Sequence, residues 1–477
     1  MTAFPLAVDL DGTLILTDTL HESAVRALRS HPLQTLQIPL WLAQGKACLK
    51  QQLAVLTEFD ASALPYNHSL IAWLKEQRAN GRQLILCTAS DQLIAHAIAR
   101  HLGMFDDVMA SDGTHNLSAR NKAAALTQRF GHKGFDYVGN SSDDLHVWSA
   151  ARQAIVVNAT AQVLQQAQQC SVIEKEFSPQ QSTAGALTSV LRMHQWLKNL
   201  LLFMAPLAAH QLPGADLSTM LLLAFFSFSL CASAVYIAND LFDLYSDRHH
   251  PRKQHRPFAS GRVSVAKGVF LFVLLLINAF LFALPVGPAF VGWLGFYFLL
   301  TCAYSWGLKR VVLIDCLVLA MLYTVRIIAG AAAAGISLSF WLLAFSVFLF
   351  LSLAFVKRYA ELKIQAEVGR DHAHGRGYWT SDAPLVQSLG ITSGYASVVV
   401  LALYLNSDAV VKLYQLPVFM WSAVPVMLFW ISWMWMKAHR GEMHDDPLLF
   451  AVRDKASLLA GAAFALVLLI ATRGVSW

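Results

Sequence analysis

The sequence predicts a chain of two unlike parts: an α/β domain, then an all-α polytopic membrane domain of about nine spanning helices. Three observations carry this expectation. Apolar residues make up 56% of the 477 positions and charged ones only 14%. Nearly all long apolar stretches lie after residue 190. Before that point, short apolar runs end in Asp or hydroxyl residues and alternate with helix formers, as in a soluble fold. The Pro-containing polar stretch Phe177-Ser-Pro-Gln-Gln-Ser-Thr183 reads as the junction, placing the soluble domain at 1–178, a linker at 179–189 and the membrane domain at 190–477.

The first strand, Leu6-Ala-Val-Asp9, runs into Leu10-Asp11-Gly12-Thr13. An Asp at a strand end, a second Asp two residues on and a Gly-Thr turn suit phosphoryl transfer. Asp9 can attack phosphorus, Asp11 can protonate the leaving alcohol and later activate water, and the turn at Thr13 can bind phosphate. A second apolar strand ends at Thr88-Ala-Ser90, Lys122 opens a later helix, and Asp136-Tyr-Val-Gly139-Asn140 forms a third strand end with Asp143 and Asp144 beyond it. This ordering resembles the haloacid dehalogenase superfamily over residues 1 to 175. The resemblance implies a Rossmann-like α/β phosphatase with a helical cap over 17–75. It makes Asp9 the nucleophile, Asp11 the acid/base, Thr88 a phosphate binder and Lys122 the steadying cation. The position after Gly139 is normally an Mg²⁺-ligating Asp in that superfamily, and here it is Asn140. A neutral amide oxygen lowers the site's negative charge, for which Asp144 or Asp143 can compensate.

Spans are expected near 190–210, 217–238, 266–285, 288–306, 311–333, 338–357, 385–405, 415–437 and 455–474. The first opens with Arg192, His194 and Lys198, and the fifth holds Asp315 and Arg326, either as a functional set or as a buried pair. Lys and Arg collect in the loops 245–267, 309–310, 357–376 and 437–455 and are nearly lacking in the alternate ones. Bacterial inner-membrane topology follows, with a cytoplasmic N-terminus and, for an odd number of spans, an external C-terminus. This distribution also accounts for the net charge of +6 without a nucleic-acid partner. The N-terminus lacks the basic start and long apolar run of a signal peptide. Six scattered cysteines without paired spacing fit a reducing compartment, and the loop histidines 249, 250, 255, 372 and 374 lack zinc-like spacing.

At the end of the second span stands Asn239-Asp240-Leu-Phe-Asp243-Leu-Tyr-Ser-Asp247. Helical spacing lets Asn239, Asp243 and Asp247, with Asp240 beside them, offer several oxygens to one volume, which suits a Mg²⁺-bound diphosphate. This signature resembles the UbiA superfamily over 190–477, and most nearly its polyprenyl-phosphate phosphoribosyltransferases. The likeness rests also on Arg192-x-x-Gln195-Trp196-x-Lys198-Asn199, His255-Arg256-Pro257 with Gly261, Tyr304-Ser305 with Lys309-Arg310, Lys357-Arg358-x-x-Glu361, and Asp445-Asp446-Pro447. Where prenyl-diphosphate users carry a second Asp-rich motif, this chain reads Lys357-Arg358-Tyr-Ala-Glu361-Leu-Lys363. That departure favours a smaller, more highly charged donor.

The resemblance implies a bifunctional enzyme with Mg²⁺ in both domains. It would transfer 5-phosphoribosyl from phosphoribosyl diphosphate to polyprenyl phosphate, then remove the 5-phosphate to supply a lipid-linked pentose for cell-envelope glycans. Asp240 and Asp243 are the expected principal Mg²⁺ ligands, assisted by Asn239 and Asp247. Lys198, Asn199, Arg256, Tyr304, Lys309, Arg326, Lys357, Arg358 and Glu361 are candidates for phosphate and substrate binding. The alternatives are a prenyltransferase with an aromatic or lipid acceptor, and a membrane scaffold whose two halves have lost catalysis.

Overall fold

The computed structural model describes all residues except 1–3, 58, 179–182, 211–213, 373–375, 408–409, 411–412, 444–445 and 474–477. His374 and Asp445 thus lie outside the described residues. The chain forms two compact units: Met1–Leu191 with Tyr236–Phe272, and Arg192–Val235 with Val273–Trp477.

The first unit is built on a six-stranded parallel sheet. Its strands are β1 (Leu6–Val8), β2 (Leu84–Asp91), β3 (Asp107–Ser111), β4 (Asp136–Gly139), β5 (Gln153–Val157) and β6 (Val172–Phe177), in the order β3-β2-β1-β4-β5-β6. The three strands read from sequence are its centre, with Leu6 opposite Leu84 on one side and Asp136 on the other. Both faces are covered, so alternate residues enter different cores. Leu6, Val8, Leu84 and Leu86 pack with Leu70, Leu74, Ile94 and Ile98, while Ala7, Cys87 and Tyr137 pack with Leu126 and Trp148. The β1, β2 and β4 chains therefore end together at one edge of the sheet, where α/β folds place their ligands.

Two longer cap helices, Thr19–Ser30 and Lys46–Leu56, share a small apolar cluster of Ala27, Trp41, Leu49 and Leu53. The cap ends earlier than residue 75. Helix His68–Ala79 buries Leu70, Ile71, Trp73 and Leu74 in the sheet's own core, because its apolar face matches β1 and β2 rather than the cap. To this unit belongs also the segment Tyr236–Phe272: the end of helix Ala215–Phe242, the short helix Leu244–Arg248, a loop, and the start of helix Val265–Ala283.

Eight helices among the described residues are long and apolar enough to cross a membrane: Ala215–Phe242, Val265–Val286, Pro288–Trp306, Ile314–Ala334, Phe340–Glu367, Thr380–Leu405, Pro417–His439 and Lys455–Thr472. They match the second to ninth expected spans to within five residues at each end, except that Phe340–Glu367 runs ten residues past the expected end at 357. The first expected span differs. Helix Thr183–Leu191 occupies most of the expected linker, Arg192 breaks it with φ 49°, a tight i→i+3 coil runs over Met193–Phe203, and Met204–Ala208 is a single short turn. The break falls where Arg192 takes a left-handed conformation, and in the coil that follows Lys198 and Asn199 are buried and bonded through their side chains.

In the second unit, the core runs through Ile314–Ala334, Phe340–Glu367, Ala383–Leu405 and Ala423–His439, joined by Tyr323, Phe350, Tyr359, Ile431 and Trp435.

Candidate active sites

At the sheet edge, Asp9 follows β1 directly and is nearly buried. Lys122 Nζ donates to its Oδ1 at 2.6 Å and Thr13 Oγ1 to its Oδ2 at 3.1 Å. Lys122 comes from helix Ala119–Phe130 and also donates to the Tyr137 hydroxyl at 2.8 Å. Burial works against the charge on this ammonium, but Asp9 and Asp144 more than offset it and raise its pKa. Burial raises the Asp9 carboxyl in turn, against the pull of Lys122. Asp9, Thr13 and Lys122 are thus brought together as the sequence anticipates.

Asp11 stands apart from that cluster. Its Oδ1 accepts the Thr19 amide at 2.8 Å, and its Oδ2 accepts the Thr19 and Ser90 hydroxyls. Burial, with Asp18 nearby, pushes its pKa up to about 7, which suits a group that must donate a proton and later take one. Thr88 Oγ1 accepts the Ser90 amide at 3.0 Å, so its hydroxyl shapes the strand end that presents Ser90. Gly12 has φ +74°, and a Cβ there would collide with the Asn140 side chain.

Asp144, a candidate to compensate for Asn140, is engaged within its own loop. Its Oδ2 accepts the amides of Asn140 at 2.9 Å and Ser141 at 3.0 Å, and its Oδ1 accepts the Tyr137 hydroxyl at 2.8 Å. It fixes the loop after β4, while Asp143, the other candidate, is exposed beside it. No motif pointed to Lys50, whose Nζ reaches from the cap to the Ala89 carbonyl at 2.6 Å and Asn116 Oδ1 at 2.9 Å.

The acidic motif lies in the same unit. Helix Ala215–Phe242 stops at Asp243 and resumes as Leu244–Arg248, so Asp240, Asp243 and Asp247 fall on successive turns. Arg256 gathers two of them, donating from Nη1 to Asp240 at 3.0 Å and Asp247 at 2.6 Å. Burial raises the pKa of Asp247 against the pull of Arg256. Asp243 accepts from Arg29 of the cap helix at 2.8 Å. Arg256, expected at the substrate, is therefore a clamp on the motif, and Arg29 is a partner that sequence reading did not anticipate. Three carboxylates and the Asn239 amide fit Mg²⁺ in kind, being hard oxygen donors at helical spacing. No group of three His, Cys, Asp or Glu side chains disposed to hold a metal occurs among the described residues.

The second unit holds two polar clusters. In the first, Asp446 accepts from Lys198 Nζ at 2.8 Å and the Tyr323 hydroxyl at 3.0 Å, with Lys357 Nζ at 3.5 Å. Burial opposes the charge on Asp446, yet the two lysines hold its pKa well below the usual carboxylate range. Beside it, Arg326 donates to Asn199 Oδ1 at 2.9 Å and the Tyr297 hydroxyl at 3.0 Å, and Asn199 donates to Ser229 at 3.0 Å. In the second cluster, Arg358 and Asp315 are both fully buried and 2.5 Å apart, joined by the Tyr378 hydroxyl at 2.6 Å from Asp315. Arg358 also pairs with Glu361, and Arg376 donates to the Tyr304 hydroxyl at 2.8 Å and to the carbonyl of Lys309 at 3.4 Å. The alternative of an Asp315–Arg326 buried pair is thus replaced by two separate sets.

The UbiA prenyltransferase family profile matches residues 200–459, more than half of the chain. The chain belongs to the UbiA prenyltransferase family. Its N-terminal domain matches the haloacid dehalogenase-like hydrolase profile over residues 6–148, so this UbiA member is an enzyme with transferase-type and hydrolase-type domains. It is 38% identical to "Uncharacterized protein y4nM" of Sinorhizobium fredii over 97% of this chain and 90% of that one. It is also 38% identical to "Nodulation protein NoeC" of Azorhizobium caulinodans, over 60% of this chain and 93% of that protein. The decaprenyl-phosphate phosphoribosyltransferase of Corynebacterium glutamicum is 36% identical over 41% of this chain and 60% of its own length.

Proposed function

We propose that the chain makes a lipid-linked pentose in two steps, with residues 190–477 as the transferase domain and 1–178 as the phosphatase domain. The observation that carries the first step is the pair of lysines, Lys198 and Lys357, gathered on one carboxylate where prenyl-diphosphate users would have a second acidic motif. An ammonium has three donors. Each lysine set in place by Asp446 can thus still offer N–H groups to a phosphate. Likeness to a decaprenyl-phosphate phosphoribosyltransferase supports the same donor and acceptor. In this step an oxygen of polyprenyl phosphate forms a bond to the first carbon of the ribose as the bond to diphosphate breaks. Mg²⁺ on Asp240, Asp243, Asn239 and Asp247 would neutralise charge on that diphosphate. Lys309, Tyr304 and Asn199 lie in the sequence segments expected to bind substrate, while Arg326, Arg358 and Glu361 hold the scaffold.

The product carries a 5-phosphomonoester, which the hydrolase domain can remove. An Asp9 oxygen attacks phosphorus, the leaving sugar oxygen takes the Asp11 proton, and water deprotonated by Asp11 then releases phosphate from Asp9. Lys122 balances the charge throughout, and Asp9 with Asn140 would hold Mg²⁺. The resulting polyprenyl-phosphoryl-ribose would serve later transfer to cell-envelope glycans.

For topology, we place the N-terminal domain in the cytoplasm of an inner membrane. The basic loop 245–267 belongs to the same compact unit as that domain, which supports one side for both. Residues 183–208 then cross as an interrupted first segment, giving nine crossings and an external C-terminus.

The test incubates purified protein with labelled phosphoribosyl diphosphate, polyprenyl phosphate and Mg²⁺. Label in the lipid, with its terminal phosphate removed, is the expected result. Asp243→Ala should abolish labelling, and Asp9→Asn should accumulate the phosphorylated lipid. Absence of lipid label refutes the first step, and wild-type product that keeps its 5-phosphate refutes the second.

A further inference from the structure

The cap of the first unit carries an uncharged stretch that the phosphatase site does not use. Residues 32–45, Pro-Leu-Gln-Thr-Leu-Gln-Ile-Pro-Leu-Trp-Leu-Ala-Gln-Gly, hold no acidic, basic or histidine side chain. They form two short helices, Pro32–Thr35 and Ile38–Ala43. Trp41 turns inward onto Ala27, Leu49 and Leu53 and pins the stretch to the cap. The leucines turn outward: Leu33, Leu36, Leu40 and Leu42 are 80%, 76%, 58% and 50% exposed. Among the described residues of 1–178, the other large apolar side chains at or above half exposure are Val55, Leu93 and Val172, each far from the next in sequence. Single exposed apolar residues are ordinary, whereas a cluster of them marks a contact surface.

Contacts within the same unit place this stretch at the bilayer surface. Arg29, in the last turn of helix Thr19–Ser30, donates to the carbonyl of Phe242 and, at 2.8 Å, to Asp243. Phe242 ends the candidate span Ala215–Phe242. At 1.5 Å per residue its 28 residues reach about 42 Å, beyond a hydrocarbon core of about 30 Å and close to the roughly 40–45 Å that includes both headgroup layers. The Arg29 contact is therefore made at headgroup level. Arg26 over the ring of Tyr245, at 4.9 Å, and Arg248 on Glu22, at 2.9 Å, hold the same cap helix against the chain just beyond the span. Leu33 follows Arg29 by four residues, so it lies within about 14 Å of it even if the chain is extended. Lipid is the partner present at that level, and a stretch of exposed leucines with no charge to desolvate suits it.

We propose that residues 32–43 are a membrane contact of the cap, in which Leu33, Leu36, Leu40 and Leu42 enter the boundary between headgroups and acyl chains. The contact holds the hydrolase site at the bilayer surface by a point other than the spans, and it does so whatever ester that site hydrolyses.

The experiment uses the full-length protein in nanodiscs of phosphatidylcholine and phosphatidylglycerol, with Cys48, Cys170 and Cys302 replaced by Ser. A fluorophore is attached at Leu36→Cys, at Leu40→Cys or at Val172→Cys. Val172 is 65% exposed at the start of β6, on the sheet edge opposite the catalytic one. Lipid carrying a nitroxide near the head of its acyl chain should quench the two cap labels about threefold more strongly than the Val172 label, as expected for side chains roughly 5–10 Å into the boundary. Leu33→Ser/Leu42→Ser should weaken the quenching of the Leu36 label, because apolar burial holds the stretch in place. Equal quenching at Leu36, Leu40 and Val172 overturns the proposal. So does a Leu36 label that is shielded from aqueous iodide yet not quenched by lipid, which marks a second copy of the chain on this face. Quenching that survives Leu33→Ser/Leu42→Ser unchanged also overturns it, since the dye and not the leucines would then be the anchor.

Discussion

Replacing Asp446 with Ala would strand two cations. Lys198 and Asp446 have side chains 10% and 7% exposed, at 2.8 Å, and Lys357 stands 3.5 Å away. At an effective dielectric of about 20, the two attractions come to roughly 6 and 5 kcal/mol. Desolvation offsets much of this, and removing one partner of such a set costs about 3–5 kcal/mol. For a unit of this size, each kcal/mol lowers the midpoint by roughly 2–4 °C, so Asp446→Ala should melt about 10 °C below the wild type in detergent. Asp446→Asn, which keeps the Tyr323 contact but not the charge, should fall between. Lipid labelling should drop in both, since the lysines lose their fixed position. Because the Asp446 pKa is lowered on folding, its stabilisation is complete above the ordinary carboxylate pKa of about 4 and is lost only as pH falls below that. The melting difference should therefore be flat from neutral to mildly acidic pH. A variant with wild-type melting and wild-type labelling would refute this reasoning.

Three further outcomes follow from the geometry. Hydrolysis should decline as pH rises through about 7, because Asp11 must be protonated to assist the leaving group; Asp11→Asn should remove that limb and lower kcat by about 10²–10⁴. Asp315→Leu should destabilise the second unit by about 3 kcal/mol by leaving buried Arg358 with only the part-exposed Glu361 as counter-charge, and Asp315→Leu/Arg358→Met should recover most of the loss in a thermal-shift series. Gly261→Ala combines a positive φ with a Cβ against Leu16, so the variant should melt below the wild type in the same thermal-shift series, by about 1 kcal/mol or more.

Much of the phosphatase site was legible because its signals are local. A strand of three apolar residues ending in Asp9, a turn needing Gly12, and a helix opening near Lys122 each fix position within a few residues, and the parallel sheet then brings them together. The spanning helices were legible for the same reason, since apolar length is a one-dimensional property. Side-chain partners were not. Lys198 meets Asp446 across 248 residues and Arg29 meets Asp243 across 214, separations at which spacing carries no information. Asp315 and Arg326 share a span but lie about 16 Å apart along its axis, too far to pair, and each instead took partners from other segments. Nor was the part of Asp144 in tying the amides of its own loop, since a carboxylate near a metal loop can serve either way.

The composition of the first unit from two separate stretches, Met1–Leu191 and Tyr236–Phe272, has a consequence for biosynthesis. When the ribosome has finished the six-stranded sheet, the partners of Glu22 and Arg29 have not yet been made. They emerge only after the apolar part of Ala215–Phe242 has left the exit tunnel for the bilayer. Completion of this unit thus waits on synthesis of the chain beyond that apolar stretch.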